Sequence, residues 1–156
     1  MNIFSKIHHL IFKRFINHIE SDERIDALVW RYPTKKSKIR YEAKLDVKES
    51  QLAILFSDGH FADMFPSGTY MLTTATMPIL ATLKNWNLKY KAAFKSEIYF
   101  INMHKVHEYT GNGRDVLNTT LKEEFATYDI VLTDFTVNDM LKFSVVNHIQ
   151  NTAYKK

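Results

Sequence analysis

The sequence contains one pair of side chains at a spacing that suits metal binding, His104 and His107. On a helix, two histidines three residues apart share a face, so both imidazoles can bind one metal ion. In a strand the same spacing places them on opposite faces. The β-branched and aromatic run Ser96–Met103 favours a strand leading into the pair, and Glu108 is the only nearby carboxylate. A metal-assisted hydrolase built on this pair stays open as an alternative, but we predict no bound metal.

No other set of residues has the spacing of a catalytic site. The chain lacks cysteine, which excludes disulfides, thiol nucleophiles and thiolate metal ligands. Asp46, Asp58 and Asp63 lie near predicted turns rather than in a converging pair of carboxylates. The loop Thr110–Asp115 has two glycines but no Lys-Ser/Thr pair, which favours a turn between strands over a phosphate loop. We therefore predict a protein that is not an enzyme, with no catalytic residue and no cofactor.

Basic residues are in mild excess, with a formal net charge of +4. This excess permits attraction to lipid headgroups or to nucleic acid without requiring either. One stretch comes closest to the interleaved basic and aromatic side chains that bind single-stranded nucleic acid. Its residues are Lys84, Trp86, Lys89, Tyr90, Lys91 and Lys95. A solvated strand face with aromatic residues in the core explains this stretch better, and we predict no nucleic-acid partner.

The elements that carry these residues are expected to form one α+β domain, because 156 residues with 46% hydrophobic content suit a single core. Alternation over Ile39–Val47 and the Asp58-Gly59 turn between two apolar runs predict mostly antiparallel strands. In chain order, the predicted strands are 28–30, 39–47, 52–56, 61–65, 69–76, 96–103 and 125–132. A short turn or helical piece after Pro78, then a further strand before Ser96, and a helix capped at Thr136 complete the domain.

The N-terminus has the periodicity of an amphipathic helix over residues 1–20. Such a helix can lie in a membrane interface, with its basic residues near the headgroups. The predicted membrane contacts are the apolar Ile3, Phe4, Ile7, Leu10, Ile11 and Phe15 and the basic Lys6, Lys13 and Arg14. The alternative is a helix docked on the protein's own sheet or on a partner, which would make the chain a soluble interaction module. We divide the chain into this helix, one domain over 21–150 and a frayed tail over 151–156. No uninterrupted run reaches the ~20 apolar residues of a spanning helix.

Several short motifs follow one another in a distinctive order. They are Val29 to Pro33, Asp58 to Phe65, the set Gly68, Tyr70, Leu72 and Thr74, the run Pro78 to Trp86, and Phe94 to Asn102. Together they resemble one bacterial branch of the SPFH (band 7, stomatin/flotillin-like) family, the branch described as virion core protein-like. The resemblance extends over roughly residues 15–147. It departs at Tyr109-Thr110-Gly111, where the family has Trp-Gly-Thr, and at Glu124 to Tyr128, which lacks the family's Arg and Gly.

The resemblance implies an SPFH-type β-subdomain and a scaffold rather than an enzyme. It also implies association with membranes, oligomerisation and, in this branch, a link to envelope stress with a phage-shock-protein-A-like partner. We therefore expect a cytoplasmic protein that is peripheral on the inner face of the membrane, contacts anionic lipid and forms homo-oligomers. The resemblance further implies long helices and a Cys-rich zinc ribbon after this region. Because the chain ends earlier and has no cysteine, we expect a truncated form without the ribbon.

Overall fold

The structure, a computed structural model, describes residues 2–3, 15–22, 26–34, 37–83 and 95–142. The strands are β1 (Phe15–Glu20), β2 (Val29–Arg31), β3 (Lys38–Val47), β4 (Gln51–Ser57), β5 (His60–Phe65), β6 (Gly68–Met71) and β7 (Glu97–Asn102). The helices are α1 (Pro78–Leu83), α2 (Met103–Thr110) and α3 (Arg114–Ala126), and residues 134–142 are also helical. The predicted α+β class with mostly antiparallel strands is confirmed.

The strands form two sheets. The four-stranded sheet has the order β2-β7-β4-β5 and is antiparallel throughout, whereas the three-stranded sheet β1-β3-β6 contains a parallel pair, β1 with β3. Consecutive residues of β4 and of β7 are buried. Because successive side chains of a strand point to opposite faces, these two strands bury apolar residues on both faces of the sheet. One face packs on α2, α3 and the helical residues 134–142, and the other packs on the three-stranded sheet and α1. The four-stranded sheet is therefore the middle of three layers.

Two local predictions from the sequence are confirmed. Asp58 and Gly59 join β4 to β5 with φ values of 52° and 74°, the left-handed conformations that a tight hairpin turn requires. Along β3, Ile39 and Leu45 are buried while Lys38 and other charged residues between the apolar positions face outwards. Both features depend only on residues close in sequence, which is why the pattern was sufficient to predict them.

Asp63 links the hairpin to α1. Its side chain is 5% exposed and accepts hydrogen bonds from the backbone N–H groups of Ile79 at 3.1 Å and Leu80 at 2.8 Å. These N–H groups belong to the first turn of α1, where no helical carbonyl is available to them. Burial raises the pKa of the Asp63 carboxyl, and the two N–H donors oppose that shift. The hairpin and the helix after Pro78 are therefore one structural unit.

The segment Pro66–Gly68 leads into β6 through a turn closed by a tyrosine. The Tyr70 hydroxyl donates to the Pro66 carbonyl at 2.8 Å, and the Tyr70 ring lies 5.1 Å from that of Phe65. Gly68 has a φ of 150°, and a Cβ at this position would lie 3.3 Å from the Tyr70 hydroxyl oxygen. Glycine is favoured because it tolerates both the dihedral angle and the close approach. The spacing Pro-x-Gly-x-Tyr thus specifies a turn and not a reactive site.

Three predictions between residues 69 and 132 are wrong. The strand predicted for 69–76 ends at Met71, because the Thr76 hydroxyl donates to the Met71 carbonyl at 2.7 Å and residues 74–76 form a turn. The polar stretch after Asn102 forms α2 and α3 rather than turns between strands. No strand forms at 125–132: α3 ends at Ala126, and the chain then turns at Asp129, whose φ is 61°. The Ile130 N–H donates to the Phe125 carbonyl, which makes this helix end a Schellman motif.

The last helical stretch begins earlier than the sequence predicts. The Thr136 backbone N–H donates to the Thr133 hydroxyl oxygen at 3.2 Å, so Thr133 rather than Thr136 caps the helical residues 134–142. Val137 and Met140 on this stretch are buried against the helix side of the four-stranded sheet. The domain therefore closes its helix layer with this element.

The N-terminal helix predicted for residues 1–20 does not extend to Glu20. Residues Phe15–Glu20 form β1, and Ile19 is fully buried between the two sheets. Pairing with β3 satisfies backbone groups of this stretch, and burial of Ile19 adds a packing contribution that an isolated helix would lack. Residues 4–14 of the predicted helix and the predicted tail over 151–156 lie outside the described residues.

Candidate functional site at the N-terminal strand

The N-terminal segment joins the domain through β1, which runs parallel to β3. Phe15 lies opposite Lys38, and after a shift in register Glu20 lies opposite Asp46. Ile19 is the only fully buried side chain of β1, and its burial contributes roughly 1.5–3 kcal/mol. We call β1 together with the residues of β3 that pair with it the β1 junction.

A bulge in β3 interrupts the pairing within the β1 junction, after the residues that lie opposite Phe15 and Ile16. Within the bulge, Glu42 has a φ of 66° and its N–H donates to the Leu72 carbonyl at 2.9 Å. The Leu72 N–H donates in turn to the Ala43 carbonyl at 2.9 Å. The bulge therefore separates the start of β3, which pairs with β1, from its end, which pairs with both β1 and β6.

Asp46 collects polar contacts from all three strands at the far end of the β1 junction. Its Oδ2 lies 2.8 Å from Lys44 Nζ and 2.6 Å from His18 Nε2, and its Oδ1 accepts a hydrogen bond from the Thr69 hydroxyl at 2.7 Å. The hydrogen bond from the Lys44 ammonium, followed by those from Thr69 and His18, holds the pKa of the Asp46 carboxyl well below its usual range. Asp46 is thus an ionised group that connects β1, β3 and β6.

His18, Glu20 and Asp46 are also close enough to be considered as metal ligands, because their donor atoms all lie within 4.8 Å of one another. One imidazole and two carboxylates suit several divalent metals. However, the Lys44 ammonium already contacts the Asp46 oxygen that faces His18, and a bound cation would have to displace it. The arrangement is therefore better described as a network of ion pairs and hydrogen bonds than as a metal centre.

A shallow cleft opens beside the β1 junction. Its lining residues are Glu20, Ser21, Asp22, Trp30, Tyr32, Pro33 and Lys48. Lys48 Nζ donates to the Ser21 carbonyl at 3.0 Å, and the Tyr32 hydroxyl donates to the His18 carbonyl at 3.3 Å. Burial, followed by the charge of Glu20, raises the pKa of the Tyr32 hydroxyl. The cleft offers two aromatic rings and charges of both signs, which suits the docking of a polar segment better than acid–base catalysis.

The predicted strand leading into His104 and His107 is present as β7, but the pair itself lies on the helix α2 that follows it. On a helix the spacing of three places the two rings on one face rather than on the opposite faces of a strand. Both side chains are exposed, and His104 Nε2 is hydrogen-bonded to the Ser50 hydroxyl at 2.7 Å. Within the part of the chain that the structure describes, no third ligand joins them at metal-binding distance. The described residues around this pair therefore do not assemble the site that a metal-assisted hydrolase would need.

Most of the residues predicted to contact a membrane or nucleic acid lie outside the described residues. Of the membrane set, only Ile3 and Phe15 are described, with 71% and 40% of their surfaces exposed. The others are Phe4, Lys6, Ile7, Leu10, Ile11, Lys13 and Arg14. Of the basic and aromatic stretch 84–95, only Lys95 is described, and it is exposed. Among the helices that the structure describes, none is long and apolar enough to span a bilayer.

Sequence analysis did not identify the polar residues of the β1 junction. His18 was assigned to a helix, and Asp46 was considered only as a turn carboxylate. Their association depends on the parallel pairing of two strands separated by β2, which no local pattern reports. The one available signal was the alternation of β3, which places Lys44 and Asp46 on the outward side of the strand.

Comparison with known proteins adds one match. Residues 29–117, more than half of the chain, match the sequence model of the SPFH domain-Band 7 family. The match begins at β2 and ends within α3, so it includes both sheets except for β1. No curated protein and no solved structure matches the chain.

Proposed function

Because the chain belongs to the SPFH domain-Band 7 family, we propose that it is a non-enzymatic scaffold that binds the inner face of a membrane through its N-terminal segment. The family consists in general of membrane-associated, oligomerising scaffold proteins rather than enzymes. In this proposal, residues 1–14 form the membrane-binding helix. The periodicity predicts a helix over 1–20, but Phe15–Glu20 form β1, so residues 1–14 are the part left for the helix.

The β1 junction is the observation that carries the proposal. A helix that lies on a membrane can position a domain only if the connection between them is short and fixed. Here the strand that begins at Phe15 is paired with β3 and has Ile19 buried in the core. A membrane-bound N-terminus would therefore hold the three-stranded sheet close to the lipid surface. Homo-oligomers, a role in envelope stress and a phage-shock-protein-A-like partner belong to the same proposal and rest on the family resemblance.

A second candidate is a soluble interaction module in which the N-terminal helix docks on the domain or on a partner. The observation that favours it is the cleft beside β1, where Trp30 and Tyr32 pack edge to face with ring centroids 6.0 Å apart. Aromatic side chains that are partly exposed in a cleft are frequent at protein interfaces. This candidate predicts strong hydrogen-exchange protection of residues 4–14 in the absence of lipid.

The proposal is tested by sedimentation of the full chain with anionic vesicles. The variant Ile7→Ser/Ile11→Ser removes two residues of the predicted apolar face and leaves β1 intact, and His9→Gln off that face is the matched control. We expect the double variant to lose most of its vesicle binding, because each lost apolar side chain removes roughly 1.5–3 kcal/mol of burial. The control should sediment like the unaltered chain. Equal sedimentation of all three proteins would contradict the proposal.

A further inference from the structure

The positive charge of the chain is concentrated in two short segments. Residues 1–19 and 34–41 contain seven of the 21 Lys and Arg and no Asp or Glu. The remainder of the chain has 14 basic residues against 17 acidic ones and is therefore net negative. The modest net charge of +4 thus conceals a strong asymmetry, of the kind that attracts anionic surfaces to one part of a protein.

The fold places the starts of β1 and β3, which follow or carry the basic residues of these two segments, side by side. Because β1 and β3 are parallel, both strands begin at the same end of the three-stranded sheet, and Phe15 lies opposite Lys38. Lys13 and Arg14 immediately precede Phe15 in the sequence, and Lys35 and Lys36 precede Lys38 by two or three positions. An antiparallel arrangement would have placed the two segments at opposite ends, so the parallel pairing is what joins them.

The described residues at this end present their charges to solvent. Lys38 and Arg40 are both exposed, while Ile39 between them is fully buried, so both cations point away from the core. Arg40 Nη1 lies 3.4 Å from the Asn17 side-chain oxygen, which places the guanidinium beside β1. Phe15 is 40% exposed at the same end.

Acidic groups lie further along the sheet. Glu42 follows within the bulge of β3, and Glu20 and Asp46 are opposite each other at the far end of β1. The pair of strands is therefore basic where the N-terminal segment enters the domain, whereas charges of both signs meet where β1 ends, because Lys44 pairs with Asp46 there. This polarity gives the domain a preferred side towards an anionic surface.

We propose that Lys38 and Arg40 form a second contact with anionic lipid headgroups, next to the N-terminal segment; we call the stretch 37–40 that carries them the basic edge. The inference rests on the proposed membrane function and adds a surface of the folded domain to it. A lipid surface fits better than nucleic acid, because the adjacent residues 1–15 supply an apolar face that can enter the acyl boundary. Together, the segment and the basic edge would fix the orientation of the domain on the membrane.

The first test measures the partition of the full chain between water and vesicles of phosphatidylcholine with about 30% phosphatidylglycerol. The variant Lys38→Gln/Arg40→Gln neutralises both cations of the basic edge and leaves residues 1–20 unchanged. A lysine or arginine near an anionic membrane contributes about fivefold to the partition coefficient, so we expect a loss of about 25-fold. The matched control is Arg114→Gln/Lys142→Gln, which removes the same charge from the helix layer, and we expect a change of less than about threefold.

The second test does not depend on loss of binding. The chain has no cysteine, so Ser37→Cys creates a single site for an environment-sensitive fluorophore in the basic edge, and Asn112→Cys creates one in the turn between α2 and α3. With the same vesicles, the emission of the fluorophore at position 37 should shift to shorter wavelength, and that at position 112 should not change.

The outcomes separate this inference from the proposed function. Failure of the unaltered chain to bind anionic vesicles overturns both. Binding that is unaffected by Lys38→Gln/Arg40→Gln, with no shift at position 37, overturns the basic edge while the proposed function stands. Tighter binding of the unaltered chain to a nucleic-acid duplex than to vesicles, lost in the same variant, would assign the basic edge to nucleic acid and overturn the lipid assignment.

Discussion

The two sheets of this domain are stabilised in different ways. In the four-stranded sheet, the central strands β4 and β7 are buried on both faces, and aromatic residues from three elements meet at Phe56, Tyr99 and Phe125 with ring centroids 5.3–5.6 Å apart. In the three-stranded sheet, β1 and β6 have mostly exposed side chains, and Asp46 holds the strands together through polar contacts near the surface.

The two sheets are therefore expected to have different roles, one in stabilising the fold and the other in attaching the N-terminal segment. Burial of apolar surface on both faces of a sheet supplies most of the free energy of folding, whereas exposed ion pairs contribute little. The four-stranded sheet and its helices should therefore determine whether the domain is folded. The three-stranded sheet should determine how the N-terminal segment is attached, and we expect its edge strand β1 to open locally while the remainder stays folded.

The largest expected effect is on the helix side of the four-stranded sheet. Phe125→Ala removes a fully buried ring that packs against Phe56 and Tyr99, and it should lower the free energy of unfolding by about 3–5 kcal/mol. Val131→Ala is the control, because Val131 is 90% exposed and its loss should change stability by less than about 0.5 kcal/mol. Chemical denaturation monitored by circular dichroism measures both. Similar losses for the two variants would contradict the assignment of the core.

The second effect concerns β1. Ile19→Ala also removes a fully buried side chain, but β1 is an edge strand that can detach, so the global loss should stay below about 2 kcal/mol. Hydrogen exchange should show the amides of Phe15–Glu20 losing protection while those of β4 and β7 keep theirs. Ile16→Ala, at a half-buried position of the same strand, should give a smaller change of the same kind. Equal loss of protection in all strands would show that the two sheets unfold together.

The third effect concerns the connection between the hairpin and α1. Asp63→Ala removes the acceptor of two backbone N–H groups and should cost about 1 kcal/mol, as the loss of a helix cap does. Asp63→Asn keeps an acceptor and removes a carboxylate whose charged form burial disfavours, so it should cost clearly less. The midpoints of thermal unfolding compare the two. If Asp63→Asn lowers the midpoint as much as Asp63→Ala does, the negative charge of Asp63 rather than its role as a hydrogen-bond acceptor stabilises α1.

The smallest effect is that of Asp46 on stability, and it depends on pH. The pKa of the Asp46 carboxyl is lower in the folded state than in the unfolded chain, so its contribution is present above about pH 4 and is lost as the pH falls further. Asp46→Asn should therefore destabilise the domain by less than about 1 kcal/mol at neutral pH, because the group is near solvent. The difference in the free energy of unfolding between the variant and the unaltered chain should become smaller as the pH is lowered towards about 2. If this difference in the free energy of unfolding grew as the pH fell, it would contradict a stabilising role for the ion pairs and hydrogen bonds of Asp46.

The sequence was sufficient for elements that depend on near neighbours. The Asp58-Gly59 hairpin and the alternation of β3 follow from turn chemistry and from period two, and both were predicted. The helix α3 was missed, although Leu117, Leu121 and Phe125 are buried at a spacing of four residues, because the glycines before it dominated the interpretation. That signal was present in the sequence, so this prediction could have been correct.

Other features could not be predicted from local patterns. The stretch FINHIE fits the end of an amphipathic helix as well as a strand, and its pairing with β3 is a contact across the chain. His18 and Asp46 are 28 residues apart in the sequence, and the hydrogen bond between them depends on that pairing. The same holds for the basic edge, because only the parallel register brings Lys38 beside Phe15.

The central claim is that the side of the domain bearing the β1 junction faces an anionic membrane. Flotation of the unaltered chain with anionic vesicles and with neutral vesicles, at about 0.15 M and about 1 M salt, tests it most directly. The account predicts that the chain floats with anionic vesicles at low salt, is largely released at high salt, and binds neutral vesicles weakly. A folded chain that stays at the bottom of the gradient with both kinds of vesicle would contradict the account.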